Sequence, residues 1–327
     1  MTAIGAGMVQ DVSGGGSRRM ERELPPDTKL IFLVGAPRSG TTWLQLLLSA
    51  SPRVATVTET HLFSDYTRSL FSGWKCHHDD ESGVGLHHLM IYDEYLTVVR
   101  DLVSKIMARI LATRPGATIV LEKTPIHALF WPDILQVFPQ AHFIHIIRDP
   151  RGVVASMLAA SQNWGGNWAP RRVPDACAKW AGHVNAGRKI AAATDHYLEV
   201  RYEDLHTRGI PTLKSAFAWC GIEVSCDKIA HILEQHRIER LRPTDAPERG
   251  FFRKGEVEGW QFDLTRRQIR LVEYLTGELM AKLGYSEAEP NVPSWETANI
   301  LPALAVEWLR AGLVWRIEKY ARAIRRG

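Results

Sequence analysis

Cysteine is scarce and scattered: Cys76, Cys177, Cys220 and Cys226 are all there is in 327 residues. They form no Cys-x-x-Cys pair, which argues against a zinc knuckle or a disulfide framework and reads as free thiols in a reducing compartment. Long apolar runs are absent too. No stretch reaches the roughly 20 uncharged residues that a membrane-spanning helix needs. Residues 1–17 lack a basic segment followed by an apolar core, so no secretory signal is read there and the cytoplasm is the expected compartment. There is no fixed-period repeat, and 45% hydrophobic with 23% charged residues is ordinary for a soluble globular chain. The body also lacks an excess of one charge. The net charge of +4 is matched by residues 301–327 alone, where six basic side chains (Arg310, Arg316, Lys319, Arg322, Arg325, Arg326) stand against Glu307 and Glu318. A nucleic-acid binder would carry its basic stripe across the body, so no nucleic-acid partner is expected.

What is present alternates between two patterns. Leu30–Val34, Thr118–Leu121, His142–Ile147 and Tyr197–Arg201 are short, nearly continuous apolar runs, as in strands buried on both faces. Helical patterns separate them at Trp43–Ala50, Asp93–Thr113, Asp133–Val137, Arg151–Ala160 and Asp175–Ala193. Strands alternating with helices predict an α/β fold of three layers around a central parallel sheet. Residues 1–28, with a Gly/Ser run and Pro25-Pro26, read as a flexible leader, residues 29–290 as the α/β domain, and residues 291–327 as a basic tail.

The most informative segment is Gly35-Ala36-Pro37-Arg38-Ser39-Gly40-Thr41-Thr42, set between the first strand and the first helix. Glycines there let backbone amides converge on a phosphate, and the helix N-terminus adds a favourable dipole. The spacing is that of a P-loop, but Thr41 stands where the lysine of a nucleoside-triphosphate site belongs. The cation is instead Arg38, inside the loop. A chance pair of glycines at an ordinary strand–turn–helix corner is the plain alternative, disfavoured by the strand, the spacing, the cation and the hydroxyls together. Gly5-Ala6-Gly7, by contrast, has no strand before it and no third glycine, and is not a dinucleotide loop.

Read as G-x-P-R-S-G-T-T-W, this loop resembles the 5′-phosphosulfate loop of the sulfotransferases that use 3′-phosphoadenosine 5′-phosphosulfate (PAPS). Three further segments support the resemblance in chain order. Phe143–Arg151 followed by Ser156 looks like the family's 3′-phosphate element, with Arg148 and Ser156 as its Arg/Ser pair eight residues apart. Tyr202-Glu203-Asp204-Leu205 is similar to the Y-E-D-L element, whose Tyr lies near the adenine. Arg253-Lys254-Gly255 with Trp260 resembles the late R-K-G loop. The resemblance, which runs from about Lys29 to Trp260, implies a PAPS site built from Pro37, Arg38, Ser39, Gly40, Thr41, Thr42, Trp43, Arg148, Ser156, Tyr202, Arg253, Lys254 and Gly255. It implies adenosine 3′,5′-bisphosphate as product and no required metal. Arg and Ser suit the two anionic ends of such a cofactor, since arginine binds oxyanions bidentately and serine adds a neutral donor.

The resemblance also implies who performs the transfer. Arg38 matches the loop cation of the tyrosylprotein branch rather than the lysine of the cytosolic phenol and steroid branch. Glu59-Thr60, 21 residues past Arg38, stands where the tyrosylprotein branch has its Glu-Thr, which makes Glu59 the leading general base. Lys123 follows a strand, in Leu121-Glu122-Lys123-Thr124-Pro125, and is assigned to the sulfonate and bridging oxygen. The cytosolic enzymes place a catalytic His two residues after this Lys; here Pro125 occupies that position, and His127 is the second candidate for the base.

A cluster around Cys76-His77-His78-Asp79-Asp80 and His87-His88 carries metal-ligand residue types, but adjacent histidines rarely share one metal, and the segment reads as an acceptor-side loop. In the tail, Val306, Leu309, Leu313, Ile317, Tyr320 and Ile324 make one apolar helical stripe with Trp308 and Trp315 among the basic residues. Docking on the domain or on a second subunit, and contact with an anionic membrane surface, are both open for residues 300–327. The expected function is sulfuryl transfer from PAPS to a hydroxyl, or an amine, of a small-molecule, sugar or lipid acceptor. The alternatives are a P-loop kinase-like phosphotransferase and a nucleotide-binding module without turnover.

Overall fold

The structure is a computed structural model, and it describes residues 23–77, 84–237, 240 and 256–288. Among them the regular elements run β1 (Lys29–Gly35), α1 (Thr41–Ser49), β2 (Val54–Thr56), α2 (Arg68–His77), α3 (Tyr92–Ala112), β3 (Ile119–Lys123), α4 (Trp131–Val137), β4 (His142–Ile147), α5 (Pro150–Gln162), α6 (Val173–Ala193), β5 (Tyr197–Arg201), α7 (Tyr202–Thr207), α8 (Gly209–Cys220), α9 (Cys226–Gln235), α10 (Trp260–Asp263) and α11 (Arg266–Lys282). The strands form one sheet of order β2-β3-β1-β4-β5. Pairing is parallel for β2 with β3 (Val54 opposite Ile119) and for β4 with β5 (Phe143 opposite Tyr197). The expected α/β architecture is therefore the observed one. The expected leader up to residue 22, Arg253–Gly255 and the tail helix lie outside the described residues.

The described residues group into two compact units, 23–32 with 48–142 and 33–47 with 143–288. In the first, β3 is buried at every position. Successive strand residues point to opposite faces, so unbroken burial means that both faces are covered. Covering β2 and β3 is α3, whose buried Tyr95, Val99, Val103, Met107 and Ile110 recur at helical spacing. Its start is tied down by Glu94, which accepts from the Ile91 N–H at 3.0 Å. Arg114 donates to the carbonyls of Ser51 (2.8 Å) and Val54 (3.0 Å), fastening the turn into β2. That strand, of three residues, is too short to show a period in the sequence.

In the second unit α5 starts at Pro150, where the missing N–H is harmless, and Asp149 caps it by accepting from the Arg151 N–H at 2.8 Å. Arg151 is buried, paired with Asp149 and with Glu273 of α11 at 2.7 Å each, and lies 4.1 Å over the Trp260 ring. These contacts join α5, α10 and α11. A common core of Val153, Met157, Trp180, Val184, Val272 and Met280 fills the space between α5, α6 and α11. The close approach of α6 to β4 depends on Gly187: a Cβ there would sit 2.1 Å from the His145 ring.

Candidate active site

The functional residues expected from sequence fall into two groups, one in each unit. In the second unit the apolar strand β1 ends in a loop that is shaped for close backbone approach. Gly40 has φ +95°, and a Cβ on it would lie 2.5 Å from the Tyr202 ring. Arg38 has φ 74°, a left-handed conformation uncommon outside glycine, asparagine and aspartate. Such a residue curls the chain so that successive N–H groups converge, the arrangement that cradles anions. Thr41, buried, begins α1 directly after this curl.

Around the loop the expected nucleotide-binding side chains do meet. Arg38 Nε donates to Ser156 Oγ at 2.9 Å, and its guanidinium lies 5.2 Å over the Trp164 ring. Arg148, at the end of β4, donates through Nη1 to the Arg38 carbonyl at 3.2 Å and stacks on Tyr202 at 4.1 Å. Gly152 leaves room for it, since a Cβ there would be 3.1 Å from Arg148 Nε. Two buried donors in this cluster, Ser39 Oγ and Arg148 Nε, have no hydrogen-bond partner among the described residues. A buried polar atom without a partner is costly by about 1–3 kcal/mol, and these two, beside the curled loop, are donors that an oxyanion would satisfy. Trp43 is buried, its indole N–H donating to the His236 carbonyl at 2.9 Å and its ring packed on Tyr202 and His206.

In the first unit Lys123, at the last position of β3, donates to Glu59 Oε1 at 2.8 Å; the lysine side chain is 5% exposed and the carboxylate 36%. His61 Nε2 lies 3.4 Å from the other Glu59 oxygen. His127 is wholly buried, between Phe32 and Phe63. Its Nε2 accepts from the Phe63 N–H at 3.1 Å, and its Nδ1 is 2.8 Å from Glu122 Oε2. Because the backbone N–H can only donate, Nε2 must present its lone pair, and Nδ1 carries the proton toward Glu122. Both nitrogens are thus engaged, and of the two candidate bases only Glu59 reaches solvent.

In the sequence Glu122 stands out only as part of the element around Lys123. Burial pushes its carboxyl up. The His127 ring and the Thr124 and Thr60 hydroxyls, all hydrogen-bonded to it, more than offset this and hold it below the usual carboxylate range. An acidic residue closing a run of buried apolar strand residues was the signal that could have found it. Trp164, the platform under Arg38, had no such signal. Among the described residues no group of three or more His, Cys, Asp or Glu side chains could hold a metal ion, and no helix is long and apolar enough to cross a membrane.

Comparison with known proteins gives the same answer from several directions. A model described as the sulfotransferase family matches residues 31–226. The nodulation protein NoeE of Sinorhizobium fredii is 24% identical over 298 residues, covering 82% of this chain and 69% of that one. Omega-hydroxy-beta-dihydromenaquinone-9 sulfotransferase Stf3 of Mycobacterium tuberculosis is 26% identical over 329 residues, covering 84% and 78%. Among solved structures, mouse sulfotransferase SULT7A1 complexed with PAP shares the fold with TM-score 0.52 and 19% identity, over 77% of this chain and 85% of that one.

Proposed function

The chain belongs to the sulfotransferase family, and from that premise we propose that it moves the sulfuryl group of PAPS to a hydroxyl of a lipid, sugar or other small acceptor, with Glu59 as base. The observation that carries the donor half is the pair of buried, unpartnered donors, Ser39 Oγ and Arg148 Nε, beside the curled loop. The loop from Pro37 to Thr42 holds the 5′-phosphosulfate. Arg148 and Ser156 hold the 3′-phosphate, joined by Arg253, Lys254 and Gly255, and Tyr202 and Trp43 flank the adenine. Bound there, PAPS supplies an activated sulfuryl group with a good phosphate leaving group.

The chain's own residues then need only position and stabilise charge, by analogy with phosphoryl transfer. Glu59 takes the proton of the acceptor hydroxyl as that oxygen forms its bond to sulfur. Lys123 stabilises the negative charge that grows on the bridging oxygen as its bond to sulfur breaks, Arg38 neutralises the charge on the leaving phosphate, and adenosine 3′,5′-bisphosphate leaves. An amine acceptor would use the same residues. Leu89 (79%) and Ile91 (66%), exposed apolar side chains just after the His87-His88 segment read as acceptor-side, suit a lipidic acceptor. The lipid named for Stf3 points the same way. The cytoplasm is the proposed compartment, with residues 300–327 meeting a membrane surface or a second subunit.

Calorimetric titration with adenosine 3′,5′-bisphosphate, ATP and 5′-AMP, without metal and then with Mg²⁺, tests the donor. Tight binding of the bisphosphate without metal is expected; preference for ATP with Mg²⁺ would overturn the reading in favour of a kinase. Labelled PAPS offered with a panel of a long-chain alcohol, a phenol, a sterol and a sugar then tests the acceptor. The long-chain alcohol is expected to turn over fastest.

A further inference from the structure

The loop that carries Glu59 and the strand end that carries Lys123 are held by one buried carboxylate. Thr60 Oγ1 donates to Glu122 Oε1 at 2.7 Å, and Thr124 Oγ1 donates to the same oxygen at 2.6 Å. With their protons spent on Glu122, both hydroxyls turn lone pairs to the loop. Thr124 Oγ1 accepts from the N–H groups of Thr60 (3.1 Å) and His61 (3.3 Å), and Thr60 Oγ1 accepts from that of Leu62 (3.2 Å). The other Glu122 oxygen accepts from the Nδ1–H of His127, whose far nitrogen accepts from the Phe63 N–H. Four consecutive backbone N–H groups, Thr60 to Phe63, are thereby fixed by side chains that all report to Glu122.

The polarity of this network allows one solution. Every backbone N–H must donate, so each hydroxyl and the imidazole must donate onward, and only an ionised carboxylate accepts all three. Glu122, Thr124 and His127 are buried, the imidazole between Phe32 and Phe63, and Thr60 is half-buried; low water access at the buried members strengthens their bonds and makes a broken one expensive. It lies directly behind the Glu59–Lys123 pair. Glu122 and Thr124 flank Lys123, Thr60 follows Glu59, and in extended chain the alternation of side chains puts Lys123 on the opposite side from its neighbours.

We propose that Glu122, acting through Thr60 and Thr124 and oriented by His127, is the positioning residue that sets Glu59 and Lys123 for transfer. This rests on the reading of Glu59 as the base. His127 is then the inner anchor of the site rather than a proton acceptor. Glu122, Thr60 and Thr124 are not among the residues assigned to the nucleotide, so the role is read in turnover and not in bisphosphate affinity.

Thr60→Val and Thr60→Ser form the test, because valine keeps the shape without the hydroxyl and serine keeps the hydroxyl. Turnover is read as labelled sulfuryl transfer from PAPS to the best alcohol of the panel above, and donor affinity as calorimetric binding of adenosine 3′,5′-bisphosphate. Thr60→Val is expected to lose about 10–100-fold in kcat, the scale of a small misplacement of reacting groups. Bisphosphate affinity should stay unchanged, and Thr60→Ser should stay within about threefold of the native kcat. Glu122→Gln should lose as much, since an amide offers His127 Nδ1–H a donor where it needs an acceptor. The double variant should be no worse than Glu122→Gln alone, because both act through one network. Equal rates for the valine and serine variants, additive losses, or a parallel loss of bisphosphate affinity would overturn the proposal. Should Thr60→Val not fold, Thr124→Val against Thr124→Ser reads the same network. Glu59→Gln separates the two layers: native turnover there sinks the base assignment and this proposal with it, whereas an inactive Glu59→Gln beside a fully active Thr60→Val sinks the positioning role alone.

Discussion

Arg148→Ala should separate the two ends of the donor nucleotide. The guanidinium is positioned before any ligand binds, by its stack on Tyr202 at 4.1 Å and its bond to the Arg38 carbonyl at 3.2 Å. Its buried Nε has no hydrogen-bond partner among the described residues, so a phosphate oxygen there would gain a donor that water does not compete for. A hydrogen bond to a charged group contributes about 1.5–3 kcal/mol, and preorganised Arg–phosphate contacts belong to the upper part of that range. At about 1.4 kcal/mol per tenfold, removal should weaken adenosine 3′,5′-bisphosphate by about 30–150-fold. Adenosine 5′-monophosphate, which lacks the 3′-phosphate, should change by less than about threefold, a shift of only ~0.6 kcal/mol. Calorimetry on both nucleotides with native and variant protein gives the comparison directly. Equal losses for the two would refute the reasoning, because Arg148 would then be supporting the loop rather than reading the 3′-phosphate. Arg148→Lys should recover little, since an ammonium cannot reproduce the flat, stacked fork.

Glu59→Gln should abolish turnover with bisphosphate affinity intact, and Lys123→Ala should lower kcat by about 10²–10³-fold, the scale of one lost charge-stabilising donor; single-turnover assays with labelled PAPS check both. Gly40→Ala should weaken bisphosphate binding at least tenfold, because φ is +95° there and the new Cβ would press on the Tyr202 ring that supports Arg148. Acid stability should be governed in part by His145, which burial, helped by neighbouring His183, pushes down to about 3. Its folded value lies below the ordinary 6.5, so the unfolded chain takes up the proton first and stability is full above pH 6.5 and lost as pH falls from 6.5 toward 3. By pH 5 that loss is about 2 kcal/mol, readable as a falling urea midpoint, and His145→Gln should flatten the slope.

Local chemistry was enough to locate four of the five described strands and the glycine-rich loop after β1. An apolar run such as Leu30–Val34 has only one way to satisfy its backbone while buried on both faces, and the glycines that follow it have a conformational role that few other residues can fill. Helices α3, α5 and α6 were legible for the same reason, within two residues at each end, because their apolar spacing is a property of the segment itself. Helices α8, α9 and α11 are not among the segments legible in the sequence, and what defines α11 is partly remote: Glu273 is placed by Arg151, 122 residues earlier. The candidate site residues are visible in the sequence, yet nothing along the chain says which of them touch. Arg38 and Ser156 are 118 residues apart, and Glu59 and Lys123 are 64 apart. Their pairing follows from how strands are ordered and helices packed, which is a matter of global burial and not of neighbouring residues. His127 is the sharpest case. In the sequence it is an imidazole four residues past Lys123 and a candidate base; folding buries it between two phenylalanines and commits both nitrogens, because the N–H of Phe63 and the carboxylate of Glu122 each need a partner out of water.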